Sequence, residues 1–174
     1  EARRLFSEIE NQDGVANVDV SEAAILVSMQ QFEKAEVLYK HALQHFSSTG
    51  DIDNEAYQYA NLGNLYLLSM QPPELSMDKY QTALKLFESI SSRTGIAFAK
   101  LGIARTHFAN RQLVDASLFA QLSLDIYRDT ENKMGIADSL SMLAYSRLNQ
   151  GDDKSAETLS DEALSILRSF GDKE

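Results

Sequence analysis

The residues most able to do chemistry are two histidines, His41 and His45, spaced four apart. On a helix that spacing puts both imidazoles on one face, where they can share a metal ion. Ala42, Leu43 and Gln44 lie between them, so the glutamate that a zinc protease uses as its base is missing. No third ligand stands out. The pair is therefore expected to be two partly exposed histidines on an outer helix, with no metal and no cofactor. His107 stands alone at a position expected to be packed, where a structural hydrogen bond accounts for it. Serines and carboxylates are plentiful, yet none falls in a nucleophile elbow, a phosphate-cradling glycine loop or a calcium loop. Gly151-Asp152-Asp153 reads as a turn followed by a helix cap. With no catalytic constellation, the chain is not expected to be an enzyme.

The charge balance narrows the partners. Across 174 residues, 16 Lys and Arg face 26 Asp and Glu, a net charge of −10. An acidic surface repels phosphate backbones and anionic bilayers, which argues against nucleic acid and membrane partners and for a neutral or basic protein or peptide. The absence of cysteine removes disulfides and thiolate metal sites. No apolar run reaches the ~20 residues that span a bilayer, and the first residues lack the blocks of a signal peptide. A soluble chain is expected, with the compartment unread and an intracellular one favoured.

The elements that must position any site follow from a repeat. Ala2, Ala42, Ala83, Ser123 and Ala163 are separated by 40, 41, 40 and 40 residues, and Phe6, Phe46, Phe87, Tyr127 and Leu167 follow each by four. A second comb runs in step: Gly14-Val15-Ala16, Asn54-Glu55-Ala56, Gly95-Ile96-Ala97 and Gly135-Ile136-Ala137. A fixed period of this size marks a stacked array whose units bury their apolar faces against neighbours. Within each unit the apolar spacing is three and four, as at Tyr59, Leu62, Tyr66 and Met70, and no period-two stretch appears. Helices are expected near 1–11, 15–29, 33–48, 54–69, 74–91, 95–109, 113–129, 135–149 and 153–170. Asp13, Asp53, Thr94 and Asp152 are placed to cap helix starts. Pro72-Pro73 closes a turn and accounts for the single 41-residue interval.

These residues resemble the tetratricopeptide repeat (TPR) family. Tyr59-x2-Leu62-Gly63-x2-Tyr66 is similar to its first-helix signature and Ala35-x3-Tyr39-x2-Ala42 to its second. Ala104 and Ala144 hold the place of Gly63, and Ala116 and Ala156 that of Ala35. The period exceeds the usual ~34 residues, as in the longer repeats of kinesin light chains, Pins-type polarity adaptors and sensor arrays of bacterial transcription activators. Ser76 and Ser123 replace crossing alanines, Ala120 and Ser160 replace the second-helix aromatic, and Asp19 and Glu22 stand where apolar residues are expected. The resemblance implies an all-α, right-handed α-solenoid of antiparallel helix pairs, a TPR superhelix. It divides into a second-helix remnant at 1–13 and repeats at 14–53, 54–94, 95–134 and 135–174. Because the chain begins and ends inside the repeat pattern, it is expected to be cut from a longer array. Leu5, Phe6 and Ile9 at one end and Leu164, Leu167 and Phe170 at the other would then be open to end-to-end self-association.

A solenoid offers an open groove, where catalysis would need a closed pocket. The family pattern, projected residue by residue, puts Tyr57, Asn61 and Asn64 on the concave face, followed by Phe98, Leu101 and Arg105, then Asp138, Ser141 and Tyr145. Asparagine can hold the backbone of an extended peptide, and aromatics supply contact area. The chaperone-tail clamp of this family needs basic residues, but its positions read Ala60, Asn64, Gly102, Asp138 and Met142, which leaves a carboxylate uncompensated. The expectation is a non-enzymatic interaction scaffold that binds a partner segment in its groove. The alternative is a sensory or autoregulatory array of a bacterial regulator or signalling protein, holding an effector, a peptide signal or its own other domain.

Overall fold

A computed structural model describes residues 11–171, and all its regular elements there are helices. They are α1 (Gln12–Ser28), α2 (Phe32–Thr49), α3 (Ile52–Leu68), α4 (Pro73–Ser89), α5 (Arg93–Ala109), α6 (Leu113–Asp129), α7 (Lys133–Asn149) and α8 (Asp153–Gly171). The expected helix at 1–11, with Ala2, Leu5, Phe6 and Ile9, lies outside the described residues. The chain forms two compact units, one ending at Ile90 and one starting at Ser91. In unit 1, α1 pairs with α2 and α3 with α4, and α2 also packs on α3. In unit 2, α5 pairs with α6 and α7 with α8, and α7 packs on α6.

The helix starts correct three of the expected caps. Asn11 accepts from the Gly14 amide at 2.8 Å, Asp51 from Asn54 at 3.1 Å and Asn132 from Gly135 at 2.9 Å. Asp13 and Asp53 therefore sit inside their first turns, and Ser92, not Thr94, precedes α5. A cap stands three residues before the amide it satisfies, which moves these starts two or three residues upstream of the expectation. Asp152 does cap α8, accepting from the Ser155 amide at 3.2 Å. Its carboxyl is held below the usual carboxylate range first by the Ser155 hydroxyl and then by that amide.

Each link between successive helices contains one left-handed residue. Gln30, Met70, Arg111 and Gly151 follow the first helices, while Gly50, Ser91 and Glu131 follow the second. The amides of Gln31, Gln71, Gln112 and Asp152 then bond back to the carbonyls of Leu26, Tyr66, His107 and Arg147 at 2.9–3.0 Å, which satisfies otherwise orphaned groups. After Met70 the turn holds Gln71 and Pro72, where the other first-to-second turns hold one residue before the helix. This extra residue is the source of the 41-residue interval, and Pro73 takes the first helical position, where its missing amide costs nothing.

Among the described residues, the alanine-type comb positions and the aromatics that follow them are packing positions. In unit 1, Ala42, Ala83, Phe46 and Phe87 are buried, as are Ser123, Ala163 and Tyr127 in unit 2. Gly63 lets Tyr80 close in, since a Cβ there would lie 2.9 Å from the ring, and at Gly135 it would lie 2.5 Å from Tyr127. The serines that depart from the family pattern keep their hydrogen bonds when buried. Ser76 Oγ donates to the Gly63 carbonyl at 2.9 Å, and Ser123 Oγ donates to the Ala97 carbonyl at 2.8 Å. Ser123 Oγ also lies 3.1 Å from Ser139 Oγ; with the Ser123 proton already committed, Ser139 is the donor. Asp19 is fully buried while Glu22 is exposed, so the helical register of α1 holds despite the polar residue. At the far end of unit 2, Leu164, Leu167 and Phe170 of α8 are exposed. No helix among the described residues is long and apolar enough to cross a membrane.

Candidate functional site

The expected site residues lie on α3 in unit 1 and on α5 and α7 in unit 2. In unit 1, Tyr57 is half-buried with its ring edge-to-face on Phe87, centroids 4.8 Å apart. Burial, and then the nearby Asp53 charge, push its phenol pKa up. Asn61 Nδ2 donates to Gln58 Oε1 at 3.1 Å within the same helix. Asn64, one turn on, is half-exposed, and its amide makes no hydrogen bond among the described residues. It keeps unspent donor and acceptor capacity on α3.

In unit 2, Arg105 of α5 faces Asp138 of α7 at 3.7 Å, both side chains partly open to solvent. A pair of this kind contributes little to stability, so either member can exchange its partner for a ligand group at small cost. Tyr145 presents a ring that is 60% exposed, 6.5 Å from Phe108. Phe98 is half-buried. Ser141 Oγ donates to the Ala137 carbonyl of its own helix at 2.8 Å, a local bond that occupies its only proton. Leu101 requires correction: it is 2% exposed and packs in a cluster with Ala104, Leu124 and Leu140, so it lines no surface. Its step of three from Phe98 turns it toward α6 and α7. Ala60, Gly102 and Met142 of the clamp positions are likewise buried.

The two histidines turn to different carboxylates. His41 Nδ1 bonds Asp19 Oδ2, and His45 Nε2 bonds Asp13 Oδ1 at 2.6 Å, both aspartates on α1. Among the described residues no group of three or more His, Cys, Asp or Glu is arranged to hold a metal. The sequence carried a signal for these pairs: across an antiparallel hairpin turning near residue 30, positions 19 and 41, or 13 and 45, fall opposite each other. His107 Nδ1 shares a hydrogen bond of 2.8 Å with Gln112 Oε1, and its ring stacks on Phe119 at 5.4 Å. A missed feature is Tyr66, whose hydroxyl donates to Glu36 Oε1 at 2.9 Å across α3 and α2. Burial first, and then Glu36, raise its phenol pKa to about 12. Lys40, 2.7 Å from Glu36, holds that carboxyl below its ordinary range.

Comparison with known proteins agrees with this architecture. The family described as SNAP, soluble NSF attachment protein, matches residues 1–174. Among solved structures, BtubC (BKLC) from P. vanneervenii aligns with a TM-score of 0.73 at 16% identity, over 93% of this chain and 66% of that one. The present chain thus spans just under two thirds of that neighbour. The TPR domain of Arabidopsis FLU aligns with a TM-score of 0.62 at 19% identity, over 68% of this chain and 98% of the domain. At such identities the likeness is one of fold, and that fold is the TPR-type α-solenoid read from the repeat. No curated protein matches the sequence.

Proposed function

The chain belongs to the soluble NSF attachment protein family, and on that premise we propose that it is a non-enzymatic scaffold holding a segment of a protein partner against the first helices of its repeats. The family's name denotes attachment to a protein, and the TPR-like fold serves protein binding generally. The observation that carries the reading is the unspent chemistry on first helices. In unit 1 the Asn64 amide is available for a peptide backbone, and in unit 2 the Tyr145 ring and the loosely held Arg105–Asp138 pair are available for side chains. Asn61 and Ser141 are already bonded within their own helices and serve as flanks. Tyr57 and Phe98 supply half-buried aromatic edges. With a net charge of −10, the surface favours a neutral or basic segment.

Photo-crosslinking tests this. A photoreactive residue at position 64 or 145 should capture a discrete protein, and one on the second helices, at Lys40 or Lys85, should not. Capture from Lys40 or Lys85 alone would move the binding surface to the other side of the helix pairs.

A further inference from the structure

Unit 2 carries a cleft lined from α6, α7 and α8 by residues other than those proposed for the first-helix face. A volume of about 520 Å³ opens over Leu143 between Arg147, Lys154 and Leu159, and one of about 300 Å³ adjoins it beside Val114 and Leu118. Both share Gln121, Leu143 and Arg147, so they form one trough across α6, α7 and α8. Its α6 wall is unusual. Val114 and Leu118, one turn apart, are 76% and 53% exposed, and Leu122 continues the stripe. At the same repeat positions α4 has Glu74, Asp78 and Thr82, and α8 has Lys154, Thr158 and Glu162. The repeat itself therefore does not require apolar residues there, and an exposed apolar stripe beside a trough is the mark of a contact surface.

Charge says what the trough would take. Arg147 donates to the Gln150 amide oxygen at 3.4 Å and its charge acts on the Asp152 carboxylate, while neither it nor Lys154 forms a close ion pair among the described residues. In a chain with ten more acids than bases, two cations against one lining carboxylate, beside an apolar wall, are complementary to further carboxylates. Asp152, the nearest acid lining the trough, is bonded to Ser155.

We propose that this trough docks an acidic amphipathic helix of a partner protein, its apolar side chains on Val114, Leu118 and Leu159 and its carboxylates on Arg147 and Lys154. Laying an amphipathic helix into such a groove is a recurring recognition mode, and the surface is separate from the first-helix face proposed above.

The probe is a fluorescein-labelled synthetic helix of about 16 residues, ~24 Å long, with leucines at four-residue spacing flanked by glutamates. Its control has lysine at every glutamate. Fluorescence polarisation with the full chain should show the control binding about tenfold or more weaker. Arg147→Gln and Leu118→Ser should each weaken the acidic helix by a similar factor, with melts confirming that both variants fold. Lys85→Gln, on α4 of unit 1, should bind like the parent. Equal binding of the two helices, or variants at positions 118 and 147 that both bind like the parent, would overturn the proposal. So would light scattering that shows a dimer dissolved by Leu118→Ser, which would make a second copy of the chain the occupant.

Discussion

In unit 1 the helices are joined across their contacts by long titratable side chains: Asp19 to His41, Asp13 to His45, and Tyr66 to Glu36. In unit 2 the buried polar contacts use short hydroxyls that cap carbonyls, as Ser123 does on Ala97 with Ser139 behind it and as Ser76 does on Gly63 in unit 1, and the charges stay outside, in pairs such as Arg93–Asp129 and Arg128–Glu162. The same repeat register thus tolerates buried polarity in two ways. A hydroxyl needs only a neutral acceptor nearby, whereas a carboxylate inside a helix pair depends on its partner's presence. Unit 1 is therefore expected to be the unit whose stability single substitutions disturb more.

The largest contrast comes from cutting one buried link in each unit. His41→Ala leaves the buried Asp19 without its imidazole and should cost about 2–3 kcal/mol, below the ~3–5 of fully buried pairs because His41 is half-exposed. Ser139→Ala removes one neutral hydrogen bond while Ser123 keeps Ala97, and should cost about 0.5–1.5 kcal/mol. Denaturant melts of both variants measure the gap, and equal losses would erase the distinction between the units.

Overpacking should treat the units alike. Ala83→Leu and Ala163→Leu both enlarge a buried residue at a helix crossing and should each destabilise by about 1–3 kcal/mol. Unchanged thermal midpoints in both would mean that the repeat register is wrong.

Alkaline pH sharpens the contrast again. Tyr39, Tyr57 and Tyr66, all in unit 1, have phenols raised by burial, Tyr66 to about 12. The folded state then holds protons that the unfolded chain has released, so stability is full below pH 10 and falls as pH rises from there toward 12. Glu36 acts oppositely: its lowered pKa gives stability that is present above the ordinary carboxyl range and lost as pH falls below it. Melting midpoints taken from neutral to alkaline pH should drop less steeply in Tyr66→Phe than in the parent, and identical slopes would dismiss the Tyr66–Glu36 link.

The smallest effect is a gain. Met70 in unit 1 and Arg111 in unit 2 hold left-handed backbones, φ 54° and 60°, that favour glycine. Met70→Gly and Arg111→Gly should each stabilise by about 0.5–1 kcal/mol, the relief of strain exceeding the added freedom of the unfolded chain. A lower midpoint in either variant would show that the side chain contributes contacts worth more than the strain.

The period, the helix pairing and the buried combs were legible because alanine, aromatic and glycine spacing reports packing directly. The starts were less so. Asn11 and Asp13, Asp51 and Asp53, and Ser92 and Thr94 are all short polar residues two apart, and only the amide three residues on decides which one caps. Five of the seven left-handed turn residues are not glycine, so composition could not mark those turns; helix packing on either side imposes them. At the site, the helical step puts Phe98, Leu101 and Arg105 on one side of α5, but where that side passes into the core depends on α6 and α7, which hide Leu101. The Asp–His pairs needed the hairpin register as well as the residue types.

The central claim, that first helices hold the partner, is tested most directly by calorimetry of the crosslinked partner against single variants. Asn64→Ala should weaken binding by about 1–2 kcal/mol, and Arg105→Glu should change it with a sign that reports the partner's charge: weaker for an acidic segment, tighter for a basic one. Lys85→Glu on the second helix α4 should leave it unchanged. Parent-like binding by Asn64→Ala and Arg105→Glu, with loss in Lys85→Glu, would contradict the account.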